Sequence, residues 1–210
     1  MNRREFALTS TALVLTGAAP LTWAQAPVEG KDYKRVAQPV PMPAGKVDVV
    51  EFFGYWCPHC NEFEPTLDAW VRKLPAAQVN FRRIPVVFRP SNEPLQRLYY
   101  AFEALGLVDS LHRKTFHAVH VENRRLDNDA EIGKWLQTVG ADSAKVLDTM
   151  KSFSVATKAR QGKQQAEAFG IDGVPTLGIA GRWMTSPSIA GTPERALAVC
   201  DALIAQARKG

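Results

Sequence analysis

Two of the three cysteines of this 210-residue chain stand close together, at Cys57 and Cys60, with Pro58 and His59 between them. A pair at this spacing could be a structural cross-link, half of a zinc site, or a disulfide that is exchanged with another molecule. A cross-link stabilises a fold mainly by closing a long loop, and this pair would close a very short one. The structural cross-link is therefore the weakest of the three interpretations.

A zinc site would need two further ligands, and His117 and His120 are the candidates. Only two residues separate them, whereas about three to five are usual between the histidines of zinc motifs. His117 also falls on the polar face of a predicted helix, where its ring would face solvent. We therefore expect no metal at the pair, and no cofactor other than the redox-active disulfide Cys57–Cys60 itself.

The residues around the pair predict a strand that delivers Cys57 to the start of a helix. Val47 to Phe53 is a β-branched and aromatic run typical of a buried strand, and Gly54 ends it. Pro58 suits the first helical position, where its missing N–H costs nothing. The free N–H groups and the dipole at a helix start favour a thiolate, which is the species that attacks disulfides. The helix continues with four apolar residues at helical spacing: Phe63, Leu67, Trp70 and Leu74.

The stretch from Trp56 to Cys60, WCPHC, resembles the DsbA family of bacterial periplasmic disulfide oxidoreductases, within the thioredoxin superfamily. Gly173 to Thr176, GVPT, is similar to the superfamily's cis-proline loop, and Pro65 is similar to its helix-kinking proline. The resemblance covers nearly the whole chain after its first segment. It implies an α/β thioredoxin fold with an inserted helical domain, and an enzyme that donates its disulfide to reduced exported proteins.

The resemblance also implies roles for individual residues. Cys57 is expected to be the nucleophile, and Cys60 the thiol that resolves the mixed disulfide. We expect His59, which follows Pro58 at the helix start, to stabilise the Cys57 thiolate together with the helix N–H groups. Glu51 would be a buried acid beneath the pair that accepts or relays the proton of Cys60, with a pKa raised by burial. The alternative for Glu51 is a carboxylate at the strand end that reaches water.

Val174, Pro175, Tyr55 and Trp56 are the expected substrate-binding residues. The likeness to the superfamily loop predicts a cis Val174–Pro175 bond, and the cis form costs little only before proline. The Val174 backbone would then lie beside Cys57 and pair with an extended substrate segment. Tyr55 and Trp56 border the cysteines and would form an apolar surface for unfolded substrate, although aromatic clusters of this kind are mostly core.

Between the two motifs, the chain is predicted to form one strand and then a series of helices. The strand runs from Val79 to Val87 and is interrupted by Pro85. Gly106 and Gly170 are placed to end helices, because glycine readily adopts the left-handed conformation found after a helix C-terminus. Apolar spacing predicts helical segments at residues 93–105, 111–119, 132–139, 146–150 and 153–169.

The second motif leads into a strand at Thr176–Ile179, a strand around Trp183, and a last helix from Pro193 with Thr192 as its N-cap. Cys200 lies on the apolar face of that helix and is predicted to be buried and inert. The implied domain limits are residues 25–90 and 153–210 for the thioredoxin-like domain and residues 91–152 for the inserted helical domain.

The first 24 residues predict an export signal, because Arg3 and Arg4 precede an apolar run over residues 6–21 and then small residues. Cleavage fits after Ala24 or after Ala26, and the sequence leaves open the general secretory and the twin-arginine routes. The run is too short for a membrane span, which needs about 20 apolar residues. We expect the mature protein in the periplasm.

The composition of the chain indicates which classes of partner to expect. The chain is 46% hydrophobic and 22% charged, which is ordinary for a soluble globular protein. Its net charge of +5 comes from short basic clusters without interleaved aromatic residues, so we expect no nucleic-acid partner.

Three function classes remain: a disulfide oxidase, an isomerase or reductase on the same fold, and a non-catalytic peptide-binding or chaperone-like module. Isomerases of this type carry an N-terminal dimerisation domain, and the roughly 20 residues between the predicted signal and Val47 leave no room for one. We expect a monomer. Reductases usually have CGPC instead of CPHC. A binding module would keep its activity after Cys57→Ser. The oxidase interpretation leads, with reduced exported proteins and a membrane-bound reoxidase of the DsbB type as partners.

Overall fold

The computed structural model describes residues 26–209. The predicted export signal falls on residues 1–24 and lies outside the described residues, so its cleavage site stays a prediction. Within the described range, none of the helices has both the length and the apolar character that crossing a bilayer requires.

Five strands form one mixed sheet, in the spatial order β1-β5-β4-β2-β3. They are β1 (Lys34–Arg35), β2 (Val47–Phe53), β3 (Val79–Pro85), β4 (Thr176–Ile179) and β5 (Trp183–Thr185). β2 pairs in parallel with β3 and antiparallel with β4, so it is an inner strand, and six of its seven residues are buried. The predicted extension of the second strand to Val87 is wrong. β3 ends at Pro85, whose missing N–H is tolerated on an edge strand.

Eight α-helices accompany the sheet in the described chain. They are α1 (Pro58–Val71), α2 (Glu93–Leu105), α3 (Val108–His120), α4 (Asp129–Thr138), α5 (Ser143–Met150), α6 (Phe153–Phe169), α7 (Pro187–Ala190) and α8 (Pro193–Ala207). Most of them match the apolar spacing, but α4 and α5 begin at Asp129 and Ser143, three residues before their predicted starts, and α7 was not predicted. Two further bounds differ. α1 ends before Leu74, and α3 begins at Val108 instead of Leu111.

The predicted helix ends are confirmed where a local signal exists. Gly106 and Gly170 follow α2 and α6 in the left-handed conformation, each with φ of 68°. The hydroxyl oxygen of Thr192 accepts a hydrogen bond from the backbone N–H of Arg195 at 3.1 Å, as an N-cap should. These contacts satisfy backbone groups that a helix end would otherwise leave unpaired.

The apolar core has three parts, and one of them reaches the cysteine pair. The α1 residues Phe63 and Leu67 pack with α8 and one face of the sheet, while Phe169 of α6 packs on the other face. The third part joins Phe53, Tyr55 and both cysteines to apolar residues of α2 to α5. The helices between β3 and α6 therefore cover the end of the sheet that carries the cysteines. The domain limits at residues 91 and 152 stay a prediction.

Candidate active site

The cysteine pair lies at the start of α1, as predicted. Cys57 is the N-cap residue in an extended conformation, and Pro58 is the exposed first residue of the helix. Cys57 and Cys60 are free thiols, so the structure describes the reduced form. Cys57 is 5% exposed and Cys60 is 0% exposed. Cys57 is thus the more accessible thiol, although little of it reaches the surface.

The pKa of Cys57 is lowered to about 6. The largest cause is a hydrogen bond from the Cys60 thiol, which stabilises the thiolate. Burial opposes it, and the backbone N–H groups of Cys60 and His59 then lower the pKa further. Cys57 is therefore mostly a thiolate at neutral pH, the reactive form in disulfide exchange.

The pKa of Cys60 moves in the opposite direction. Burial raises it most, and the hydrogen bond to the Cys57 thiolate and the charge of that thiolate raise it further. Cys60 therefore keeps its proton and acts as a hydrogen-bond donor to its neighbour. Two thiols only three residues apart thus have opposite protonation states at neutral pH.

The ring of His59 makes a small contribution to the low pKa of Cys57. Its side chain is 76% exposed, and its Nδ1 lies 3.1 Å from a carboxylate oxygen of Glu62. The hydrogen bond to Glu62 raises the pKa of His59. Among the five influences on the pKa of Cys57, the charge of His59 is the smallest. His59 acts on the thiolate in the expected direction, through its backbone N–H and its charge, while the hydrogen bond from the Cys60 thiol has the largest effect. A role for the ring in catalysis stays a prediction.

The second motif folds against the first. The Val174–Pro175 peptide bond is cis, which confirms the prediction. The carbonyl oxygen of Val174 lies 3.4 Å from Sγ of Cys57. A groove of about 280 Å³ is lined by Pro175, by His59 on α1 and by Pro187 on α7. Backbone polar groups and a groove thus adjoin the reactive sulfur.

Tyr55 is part of the core, which contradicts its predicted place on a substrate-binding surface. It is 1% exposed, and its ring packs against those of Phe53 and Phe116 at centroid distances of 5.2 and 5.0 Å. Its hydroxyl lies 2.7 Å from Nδ1 of His112. α3 covers the ring and supplies its polar partner, and the sequence around Tyr55 gave no sign of this.

Trp56 remains half-buried at the surface beside Cys57. Its indole N–H donates to the Val86 carbonyl at 3.3 Å, and its ring contacts that of Phe88 at a centroid distance of 5.6 Å. Phe88 is 45% exposed. Phe88 was not predicted, because a single aromatic residue in a loop carries no local signal. The two rings form an apolar surface next to the thiolate.

Glu51 is fully buried, so the alternative of a carboxylate that reaches water is wrong. In the β2–β3 register it lies opposite Arg83, whose Nε donates to its Oε2 at 2.8 Å. Nη2 of Arg83 donates to Glu64 at 2.6 Å and to Asp68 at 2.9 Å. One guanidinium therefore binds three carboxyl groups beneath the cysteines, which we call the Arg83 cluster.

The pKa of Glu51 is raised to about 8. Burial is the main cause, followed by the charge of Glu64, and Arg83 only partly offsets them. Oε1 of Glu51 is buried without a hydrogen-bond partner among residues 26–209, which also favours the neutral carboxyl. Burial would raise the pKa of Glu64 too, but His112 and Arg83 outweigh it, and that pKa is lowered. Glu51 is thus the carboxyl group that holds a proton at neutral pH.

Four further residues of the site were not predicted from the sequence: Glu64, Asp68, Arg83 and His112. The sequence gives a partial indication that Glu64 is buried, because it lies three residues before Leu67 of the predicted apolar helix face. Arg83 becomes a site residue only through the pairing of two strands that are about 30 residues apart in sequence.

The other histidines and the third cysteine have separate surroundings. His117 lies 3.1 Å from Glu122, and His120 lies 2.8 Å from the carbonyl oxygen of Tyr55. Cys200 is fully buried, as predicted, and burial raises its pKa. In the described part of the chain, no group of His, Cys, Asp and Glu side chains is arranged to hold a metal ion.

Comparisons with known proteins agree with this geometry. A family model described as DSBA-like thioredoxin domain matches residues 48–193. The chain is 41% identical to the thiol:disulfide interchange protein DsbA of Bordetella parapertussis over 205 residues, 96% of each chain. It is similar to the crystal structure of Pseudomonas aeruginosa DsbA (36% identity, TM-score 0.83, covering 87% of this chain and 95% of that one) and to that of Xylella fastidiosa DsbA (30%, 0.80, 88% and 99%). These likenesses confirm the predicted α/β thioredoxin fold with its helical insertion.

The hydrogen bond from Cys60 gives a first prediction. Cys60→Ala removes the donor, so the pKa of Cys57 is expected to rise from about 6 by about one unit or more. Cys60→Ser is the matched control, because its hydroxyl can still donate and should keep the pKa low. The ultraviolet absorbance of the thiolate, titrated in the reduced protein, measures both. Equal pKa values in the two variants would contradict the assignment.

Proposed function

This chain belongs to the DSBA-like thioredoxin domain family and is a thiol:disulfide oxidoreductase, and we propose that it donates a Cys57–Cys60 disulfide to reduced exported proteins in the periplasm. The observation that carries the assignment of the pair is the opposite protonation of its two thiols. A low thiol pKa makes Cys57 a good leaving group, and the rate of exchange rises as the pKa of the leaving thiol falls.

In the first step, a substrate thiolate attacks Sγ of Cys57 in the oxidised protein. The Cys57–Cys60 bond breaks, and a mixed disulfide forms between the substrate and Cys57. The electron pair of the broken bond stays on Cys60, which takes up a proton because its thiolate is strongly disfavoured by burial. Glu51 holds a proton at neutral pH and is the donor that we assign to this step.

In the second step, another thiolate of the substrate attacks the substrate sulfur of the mixed disulfide. Cys57 leaves as a thiolate, which the Cys60 thiol and the helix N–H groups stabilise. Two electrons have then passed from two substrate thiols to the cysteine pair, and the substrate holds a new disulfide. When the pair is reoxidised, Cys60 loses its proton and resolves the mixed disulfide with the oxidant, and we assign to Glu51 the relay of that proton to solvent.

The substrate is expected to bind in extended form beside the pair. The Val174 carbonyl can accept a backbone hydrogen bond within reach of Cys57. Trp56 offers apolar surface on one side, and the groove past His59 offers space on the other. We assign Pro175 to the shape of the loop that presents Val174. A site that pairs with the substrate backbone and contacts apolar side chains can bind many different unfolded sequences.

The remaining parts of the proposal concern location and partners. The predicted signal supports export, and an exported oxidase must pass its electrons on, which we assign to a membrane-bound reoxidase of the DsbB type. The cysteine pair itself is the redox group. We propose a monomer without a nucleic-acid partner.

The proposed role of Glu51 gives a second prediction. The amide of Glu51→Gln cannot give or take a proton, so the part of the pH dependence of the exchange rate that comes from the Glu51 carboxyl group should disappear. In the parent protein, the rate of exchange with a reduced peptide, corrected for the peptide's thiolate fraction, should fall as the pH rises through about 8. The measurement is this rate between about pH 6 and about pH 9. Glu167→Gln, at an exposed position on α6, is the control. An unchanged pH profile in Glu51→Gln would contradict the role.

The lowered pKa of Cys57 gives a third prediction, on stability. It is about 6 in the folded protein and roughly 8.5 in an unfolded chain, so the thiolate stabilises the reduced form. That contribution is complete above about pH 8.5, is on the order of 1 kcal/mol at pH 7, and is lost as the pH falls through about 6. The reduced protein should therefore unfold at higher urea than the oxidised protein at pH 7, with a smaller difference at about pH 5.

Urea midpoints of both redox forms at the two pH values measure this difference. Cys200→Ser provides a control, because this buried thiol should leave the difference unchanged. An oxidised form that is the more stable at pH 7 would contradict the oxidase proposal and favour a reductase.

A further inference from the structure

His112 is a buried titratable residue that the exchange steps above do not use. It lies on α3, among the helices between β3 and α6, and is 4% exposed. Its ring is enclosed by aromatic rings, with centroids at 5.2 Å from Phe53, 5.2 Å from Phe116 and 5.9 Å from Tyr99. Burying an imidazole in such an apolar site costs free energy of desolvation unless its ring nitrogens have polar partners.

Both ring nitrogens of His112 face polar atoms. Nδ1 lies 2.7 Å from the hydroxyl of Tyr55, and Nε2 lies 3.1 Å from Oε1 of Glu64. Burial lowers the pKa of His112, so the ring is neutral at pH 7. A neutral ring fits both partners in one tautomer, in which the Tyr55 hydroxyl donates to Nδ1 and the proton on Nε2 faces the carboxylate. The ring is turned so that Nε2 makes no aligned hydrogen bond among residues 26–209, and its N–H acts on Glu64 by proximity.

Glu64 links this ring to the Arg83 cluster. The oxygen that faces His112 is the same Oε1 that accepts from Nη2 of Arg83 at 2.6 Å. Arg83 in turn donates to Glu51 at 2.8 Å. Two positive or donor groups thus converge on Glu64, whereas Glu51 has the guanidinium alone. Each carboxyl group also has one oxygen without a hydrogen-bond partner in the described chain, Oε2 of Glu64 and Oε1 of Glu51. His112 therefore affects which of the two carboxyl groups is charged.

We propose that His112 is a positioning residue for disulfide exchange: it keeps Glu64 ionised, so that the proton of the Arg83 cluster resides on Glu51, next to Cys60. This inference rests on the proposed function and extends it from the thioredoxin-like part of the chain to α3. Without the ring, Glu64 would share the proton, and Glu51 would lose part of the charge repulsion that keeps it neutral.

Other groups around the ring also act on it and on the carboxyl groups. They are Glu51 on β2, Tyr55 after β2, Glu64 and Asp68 on α1, Arg83 on β3 and Tyr99 on α2. Each of them remains in place in a variant that changes only position 112, so a difference in pH dependence reports on the imidazole.

His112→Phe tests the proposal, because phenylalanine suits the aromatic surroundings and carries no donor. The midpoint of the fall in exchange rate with rising pH is expected to move to lower pH by on the order of one unit. His112→Gln retains an N–H donor that can reach Glu64, and is expected to keep the parent midpoint. Phe116→Leu, on the same buried face of α3, controls for lost packing: it should lower the urea midpoint without moving the pH profile.

A second measurement follows the protons directly. In reduced protein labelled with ¹³C in its glutamate carboxyl groups, His112→Phe should lower the titration midpoint of Glu51 and raise that of Glu64. Glu64→Gln should also lower the Glu51 midpoint, which provides the test if His112→Phe does not fold. A Glu51 midpoint unchanged in folded His112→Phe would overturn the role of His112, and one unchanged in Glu64→Gln would overturn the coupling of the two carboxyl groups on which that role depends. A parent protein whose exchange shows no dependence on Glu51 would instead overturn that part of the proposed function.

Discussion

The guanidinium of Arg83 is the interaction on which the arrangement beneath the cysteines depends. It binds Glu51 of β2 and both Glu64 and Asp68 of α1, and so ties together the strand that leads to the cysteines and the helix that begins with them. Three carboxyl groups and one guanidinium leave an excess of acid in a buried site. Such an excess is relieved by holding a proton, since isolated buried charges are costly. The proton that we propose the exchange reaction moves is therefore a consequence of how the fold is held together.

The position of the pair on α1 explains why its two thiols differ. Cys57 precedes the first helical residue, where backbone N–H groups have no intrahelical acceptor and can stabilise an anion. Cys60 is one turn further on, against the buried carboxyl of Glu51, where an anion is disfavoured. The disulfide removes the thiolate and its stabilisation together. A fold that stabilises the reduced pair is thus one that makes the pair oxidising and favours transfer of its disulfide to a substrate.

Local features of the sequence predicted the local parts of the site. The strand before Cys57, the start of α1 at Pro58 and the cis bond at Pro175 were all predicted, because each depends on neighbouring residues or on a motif resemblance. Burial of Tyr55 depends on the docking of α3, so it could not be inferred from the CPHC motif. The partner of Glu51 required the register of β2 and β3. Packing between segments that are distant in sequence determines these features, and local sequence patterns do not reveal that packing.

The redox equilibrium of the Cys57–Cys60 pair with glutathione tests the central claim most directly. The pair is to be equilibrated in buffers of varied reduced and oxidised glutathione at pH 7, and its reduced fraction measured after acid quenching. The thiolate at Cys57 predicts a strongly oxidising pair, with a reduction potential well above about −200 mV. The pair should then remain mostly reduced in glutathione buffers in which ordinary structural disulfides are fully formed. A potential at or below about −270 mV, the range of thioredoxin, would contradict the account.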